Sequence, residues 1–278
     1  MAWDGIRRKE NQVRRVIAMK LSISLKTGLE MKYVEAGPQE AQVLILLHGL
    51  TDSSRSWSLS LPELAKDYHV YVLDQRGHGD SVAPDGPYTL SDFADDVISF
   101  MDALHIEKAS IAGHSMGSFI AQYIAIKYPE RVSNLILVGS ADKTVGNGTL
   151  DWLWENIQQI QDKVDPAFLE EWTSTPTPVD TEFLAQLKEE TAAVPISVWK
   201  SATHMLMTDD YSARLSKISA PTLIIWGEQD AVFPFEDQVR LQAAIPHAQF
   251  KRYPDVGHNI QWEIPQKIGE DIAAFVKA

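Results

Sequence analysis

Short apolar runs and amphipathic segments alternate along most of the chain. Runs with the length of strands occur at 16–25, 30–36, 43–47, 69–73, 109–113, 134–138, 222–226 and 248–252. From the third onward they alternate with segments of helical periodicity, such as 91–104, 116–128, 236–244 and 265–277. Leu44 to Leu47 and Leu135 to Val138 are continuously apolar, the pattern of strands buried on both faces of a parallel sheet. The alternation therefore predicts an α/β fold with a mostly parallel, eight-stranded sheet flanked by crossover helices. Only Lys26 to Leu29 separate the first two runs. That is too short for a crossover and predicts an antiparallel hairpin at one edge.

One connection breaks the rhythm. Val138 and Thr222 are separated by about eighty residues, where a βαβ unit needs only ~30. Pro166, Pro176, Pro178 and Pro195 divide this stretch into helix-like pieces. The expected organisation is a core of residues 1–140 and 214–278 with a helical cap inserted at 141–213. The insertion is rich in large apolar side chains, including Trp152, Trp154, Phe168, Trp172, Phe183, Trp199, Met205 and Met207. Most of these are expected to pack the insertion together. Trp152, Trp154, Trp199, Met205 and His204 are the candidates for substrate contact.

Composition narrows the classes. The 278 residues carry a formal charge of −13, with 45% apolar and 23% charged residues, which argues against a nucleic-acid-binding surface. The absence of cysteine removes disulfides, a thiolate nucleophile and cysteine-ligated metals. Met1 to Lys20 is basic but lacks the apolar stretch of a secretory signal. The run Val43 to Leu47 is too short to cross a bilayer. A cytoplasmic protein with no membrane partner is the expectation.

Candidate chemistry centres on Gly113-His114-Ser115-Met116-Gly117, a G-x-S-x-G sequence between an apolar run and a helical pattern ending at Tyr128-Pro129. A sharp strand-to-helix turn there would strain the serine, and glycines on either side would admit neighbouring backbone. It would also put Ser115 at a helix N-terminus, where free N–H groups favour developing negative charge. Serine needs a base, and the base an orienting acid. Of eight histidines, His258 in Asp255-Val256-Gly257-His258 follows the last strand and falls at the same sheet edge as Ser115. His247 precedes that strand and falls at the opposite edge. Asp230, just beyond Leu223 to Gln229, is the preferred acid. Asp142, after the preceding strand, is its rival.

These features resemble the α/β-hydrolase superfamily, and in particular its capped esterase, lactonase and carbon–carbon-bond hydrolase branches. The likeness extends from the edge hairpin to the final helix. It also rests on His48-Gly49-Leu50, on Asp74-Gln75-Arg76-Gly77-His78-Gly79-Asp80-Ser81, on Trp226 to Asp230 and on Gly257-His258-Asn259. The resemblance implies an oxyanion hole made by the Leu50 and Met116 N–H groups. It implies loop-shaping roles for His48, Asp74, Arg76 and His78. Serine at position 115 sets the chain apart from the epoxide hydrolases and haloalkane dehalogenases of this fold, which attack with aspartate. No P-loop, dinucleotide fingerprint or H-E-x-x-H sequence occurs, and neither cofactor nor metal is expected.

The expected activity is two-step hydrolysis of an apolar, small-molecule carboxylic ester or lactone by Ser115, His258 and Asp230. A carbon–carbon bond hydrolase or an aminopeptidase would use the same three residues. The aminopeptidase would need a carboxylate from Glu170, Glu171, Glu189 or Glu190 to receive the substrate amine. A ligand-sensing receptor with slow hydrolysis is the reading from a different class.

Overall fold

The computed structural model describes residues 20–277. Its sheet has eight strands: β1 (Leu21–Ser24), β2 (Glu30–Ala36), β3 (Val43–Leu47), β4 (His69–Leu73), β5 (Ala109–His114), β6 (Val132–Val138), β7 (Thr222–Gly227) and β8 (Gln249–Tyr253), in the order β1-β2-β4-β3-β5-β6-β7-β8. β1 and β2 form the antiparallel edge hairpin, β2 also runs antiparallel to β4, and all later pairings are parallel. The expected first strand, 16–25, is found as the shorter β1; positions 16–19 lie outside the described residues, as does the basic start before Lys20.

Strand side chains alternate between two buried layers, as the pleat requires. Leu44, Leu46, Val72, Ile136 and Leu223 pack on one face with Ile268 and Ile272, while Ile45, Leu47, Ile111, Leu135 and Ile224 pack on the other with Phe100, Phe119 and Ile124. The covering helices are α1 (Leu90–Ala103) and α2 (Met116–Lys127) on the second face and α8 (Pro265–Lys277) on the first. Thr89 and Asp92 close a reciprocal capping box at the start of α1. α2 is buried on nearly every side, so its apolar pattern does not read as one stripe.

Between β6 and β7 lie α3 (Gly148–Ile157), α4 (Pro166–Trp172), α5 (Thr181–Ala193) and α6 (Ile196–Thr208). The side chains of Asn147, Asp165 and Asp180 cap the first three, accepting from Leu150, Ala167 and Phe183 N–H. Pro166 opens α4 and Pro195 immediately precedes α6, so these prolines start helices rather than break them. α7 (Phe235–Ala244) follows β7. No helix among the described residues is long and apolar enough to cross a membrane.

Register sets the position of the site. Leu47 stands opposite Gly113, His114 opposite Val138, Val138 opposite Ile225 and Gly227 opposite Tyr253. The carboxyl ends of β3, β5, β6, β7 and β8 thus reach one edge together, and the loops that follow them meet there.

Candidate active site

Ser115 joins β5 to α2 with φ 49° and ψ −119°, in the left-handed region that a non-glycine residue adopts only under constraint. Backbone closes around it: Ser115 N–H donates to Val138 O at 3.0 Å, and Ser118 N–H donates to Ser115 O at 2.8 Å. Both glycines of the motif are required by close approach. A Cβ on Gly113 would stand 2.1 Å from Gly117 O, and one on Gly117 would stand 2.5 Å from Leu47 O.

His258 and Asp230 meet at this edge, with Nδ1 and Oδ2 2.9 Å apart. The other carboxylate oxygen, Oδ1, accepts from Val232 and Phe233 N–H at 2.8 and 3.0 Å. With both oxygens engaged as acceptors, the neutral imidazole carries its proton on Nδ1 and has Nε2 as its acceptor nitrogen. Gly139, at φ 52°, passes so close that a Cβ there would lie 3.0 Å from His258 O. Asp142 is turned away, paired with Arg240 Nε at 3.1 Å, and His247 binds Ala220 O at the opposite edge.

The loop after β3 is fixed by side chains. His48 Nδ1 donates to Gly49 O at 2.8 Å, its Nε2 accepts from Gln75 N–H at 3.1 Å, and burial holds its pKa well below the usual range. The His78 ring lies 5.2 Å away, tilted by 55°, and donates from Nδ1 to Arg76 O, with burial lowering its pKa to about 4. Asp74 accepts from the Ser54 and Asp80 N–H groups at 2.7 and 2.9 Å. Arg76 pairs with buried Asp96 at 2.7 Å. His48 and Asp74 thus tie the loop after β3 to the loop after β4, Arg76 anchors the latter to α1, and none of the four side chains lines the cavity described next.

Ser115 and His258 share a cavity of about 550 Å³. Its wall includes Gly49, Leu50 and Asp52 from the loop after β3, and Phe233 and Trp262 from beyond β7 and β8. Leu150, Trp152, Trp172 and Leu206 come from the helices between β6 and β7. Met116 is the first residue of α2, so its N–H has no acceptor inside the helix. The Trp172 indole N–H donates to Thr51 Oγ1 at 3.0 Å, tying α4 to the residue after Leu50. Glu190 of α5 binds Arg55 and Ser53 on the same loop.

Of the five candidates for substrate contact, Trp152 lines this cavity. Trp154, Trp199, Met205 and His204 do not. Trp152 and Trp154 are two residues apart on α3, about 200° around a helix, and Trp154 turns instead to His204 with their rings 5.9 Å apart. Trp199 and Met205 are buried against the core, whereas His204 is exposed. The sequence reading missed Asp52, Phe233, Leu206 and Trp262. Asp52 and Trp262 lie four residues beyond His48 and His258, and that proximity to the two histidine loops was their available signal.

Burial raises the Asp52 carboxyl to about 7, against the opposing pull of the Ser56 hydroxyl, His258 and the Gly49 backbone. Its Oδ2 accepts from Ser56 Oγ at 3.0 Å.

The chain matches the α/β hydrolase fold family over residues 42–265 and belongs to that family. It is 28% identical to 3-oxoadipate enol-lactonase 2 of Acinetobacter baylyi, over 89% of this chain and 93% of that protein. It is also 28% identical to the 2-hydroxy-6-oxononadienedioate/2-hydroxy-6-oxononatrienedioate hydrolase of Paraburkholderia phymatum, over 90% of this chain and 92% of that protein. The solved structure of an esterase from Exiguobacterium antarcticum superposes with a TM-score of 0.85 at 22% identity, covering 94% of this chain and all of that one; at that identity the likeness is one of fold.

Proposed function

We propose that this member of the α/β hydrolase fold family cleaves carboxylic esters or lactones through an acyl-enzyme on Ser115. The observation that carries the reading is the Asp230–His258 contact of 2.9 Å at the wall of the cavity that also exposes Ser115. His258 Nε2 takes the Oγ proton as Ser115 attacks the substrate carbonyl. Asp230 fixes the tautomer and stabilises the imidazolium that forms. The carbonyl oxygen becomes an oxyanion received by the Leu50 and Met116 N–H groups, each worth about 3 kcal/mol in such a role. Collapse breaks the acyl C–O bond as His258 returns the proton to the leaving alkoxide, which in a lactone stays tethered. His258 then deprotonates a water that attacks the acyl carbon, and Ser115 recovers its proton as it leaves.

Residues 141–213 act as the cap in this reading, with α3, α4 and α6 closing the cavity over Ser115. The lactonase likeness favours acyl transfer to water. The Paraburkholderia relative keeps carbon–carbon cleavage as the second reading, and both curated relatives are named for acidic substrates. A ligand-sensing receptor would bind without repeated turnover. Pre-steady-state hydrolysis of a p-nitrophenyl ester tests the proposal: a burst of about one equivalent followed by steady turnover is expected. In Ser115→Ala, kcat should fall by about four to six orders of magnitude. Undiminished turnover by the folded variant removes the assignment.

A further inference from the structure

The cavity around Ser115 presents carboxylates and acceptor atoms but no fixed cation. Among the described residues lining it, none is lysine or arginine, while Asp52 and Glu171 both are on its wall. Two nearby arginines are paired elsewhere: Arg55 with Glu190, and Arg240 with Asp142 and Asp237. The remaining polar wall, which includes Ser174, Thr175, Gln229 and Asn259, is uncharged.

The buried part of the wall is the more selective. Asp52 is 6% exposed. Ser56 Oγ accepts from Gln261 Nε2 and Trp262 Nε1 at 3.1 and 3.0 Å, so its own proton goes to Asp52 Oδ2. His114 is neutral, because burial holds its pKa well below the ordinary range. Its Nε2–H donates to His258 O at 3.0 Å, which leaves Nδ1 as a buried acceptor without a partner. A Cβ on Gly49 would stand 2.9 Å from that Nδ1 and 3.1 Å from Asp52 Oδ2. Both acceptor atoms therefore crowd the Gly49 backbone, and neither brings positive charge to this side of the wall. An anion against this wall would lose its hydration and meet no countercharge.

We propose that the cavity takes uncharged or amine-bearing esters and lactones and rejects those carrying a carboxylate away from the reacting carbonyl. The assignment rests on the ester-hydrolase reading in one respect. The positive potential that the wall does offer, at the N-terminus of α2 and the Leu50 and Met116 amides, is occupied by the carbonyl oxygen under attack. A second carboxylate on the substrate finds no countercharge. An ammonium group finds Asp52 and, toward solvent, Glu171, and an uncharged group loses nothing by the absence of a cation.

Three methyl phenylacetates bearing a para aminomethyl, carbamoyl or carboxylate group test this with size nearly constant. Binding to Ser115→Ala is read from tryptophan fluorescence, since Trp152, Trp172 and Trp262 line the cavity, and kcat/KM is measured on the native chain. The expected dissociation constants of the aminomethyl and carbamoyl esters are at least tenfold below that of the carboxylate ester. Adding Glu171→Lys, a change at an exposed position, is expected to narrow the gap at least threefold. Equal or tighter binding of the carboxylate ester overturns the proposal, as does failure of all three to bind at millimolar concentration. An unchanged gap with Glu171→Lys overturns its electrostatic basis. If the binding order holds but the native chain turns over none of the three, the ester-hydrolase reading fails and the charge preference stands.

Discussion

His114 holds His258 by its main chain: the His114 Nε2–H donates to the His258 carbonyl at 3.0 Å, and the two rings lie 4.9 Å apart. The residue preceding Ser115 thus braces the loop that carries His258. His114→Leu leaves that buried carbonyl without its donor, a loss of about 1–3 kcal/mol. The variant is expected to lower the melting temperature and to reduce kcat with little change in KM. Thermal unfolding together with steady-state kinetics checks both.

Asp230→Asn keeps an oxygen for the Val232 and Phe233 N–H groups, which Asp230 Oδ1 now receives, so the loop should stay folded. The amide cannot both satisfy those donors and accept from His258 Nδ1. The imidazole is expected to lose its working tautomer and kcat to drop by about four orders of magnitude. Kinetics beside an unchanged circular dichroism spectrum separate this from misfolding.

Asp52 gives a pH signature. Its carboxyl rises from an ordinary 3.8 to about 7 because burial disfavours the charged form. Below 3.8 the group is protonated in both the folded and unfolded chain and contributes nothing. As pH rises toward 7 the unfolded chain ionises first, so folding loses stability progressively, up to about 4 kcal/mol, and the loss is complete above 7. Asp52→Asn removes that term. Its stability relative to the native chain is expected to climb between about pH 4 and pH 7 and then level off, as measured by denaturant unfolding across that range. A difference independent of pH would count against it.

Gly117→Ala tests the packing under Ser115. Its Cβ would stand 2.5 and 2.7 Å from the carbonyl oxygens of Leu47 and His48, which are backbone atoms with little freedom to move. A cost of about 1–3 kcal/mol is expected, with a melting temperature lower by several degrees. Because the strain falls beside the loop carrying Leu50, kcat should fall as well.

The frame of the molecule is legible in the sequence because its signals are local. Runs such as Leu44–Leu47 are apolar on both faces, and Ser115, Asp230 and His258 each follow a strand, so chain order alone brings them to one edge. The cavity wall is less legible, because it depends on which side of each inserted helix turns inward. Met205 and Leu206, neighbours on α6, are both buried in the core, yet of the two it is Leu206 that lines the cavity. Trp199 packs against Trp172 and Phe168, at ring distances of 5.8 and 6.1 Å. Nothing in the spacing of those aromatics distinguishes a wall from its backing. Asp52 was missed for another reason: an aspartate in a loop reads as solvated, and its burial arises only when Ser56, Gln261 and Trp262 close over it.

The central claim is a covalent acyl group on Ser115, and rapid acid quench with peptide mass spectrometry reads it directly. Within the first turnover of p-nitrophenyl acetate, the peptide containing Gly113 to Gly117 is expected to carry one acetyl group on Ser115. The modification should be absent from Ser115→Ala. Sustained Ser115-dependent turnover with no acyl group on that peptide, or with the acyl group on another residue, would contradict the account.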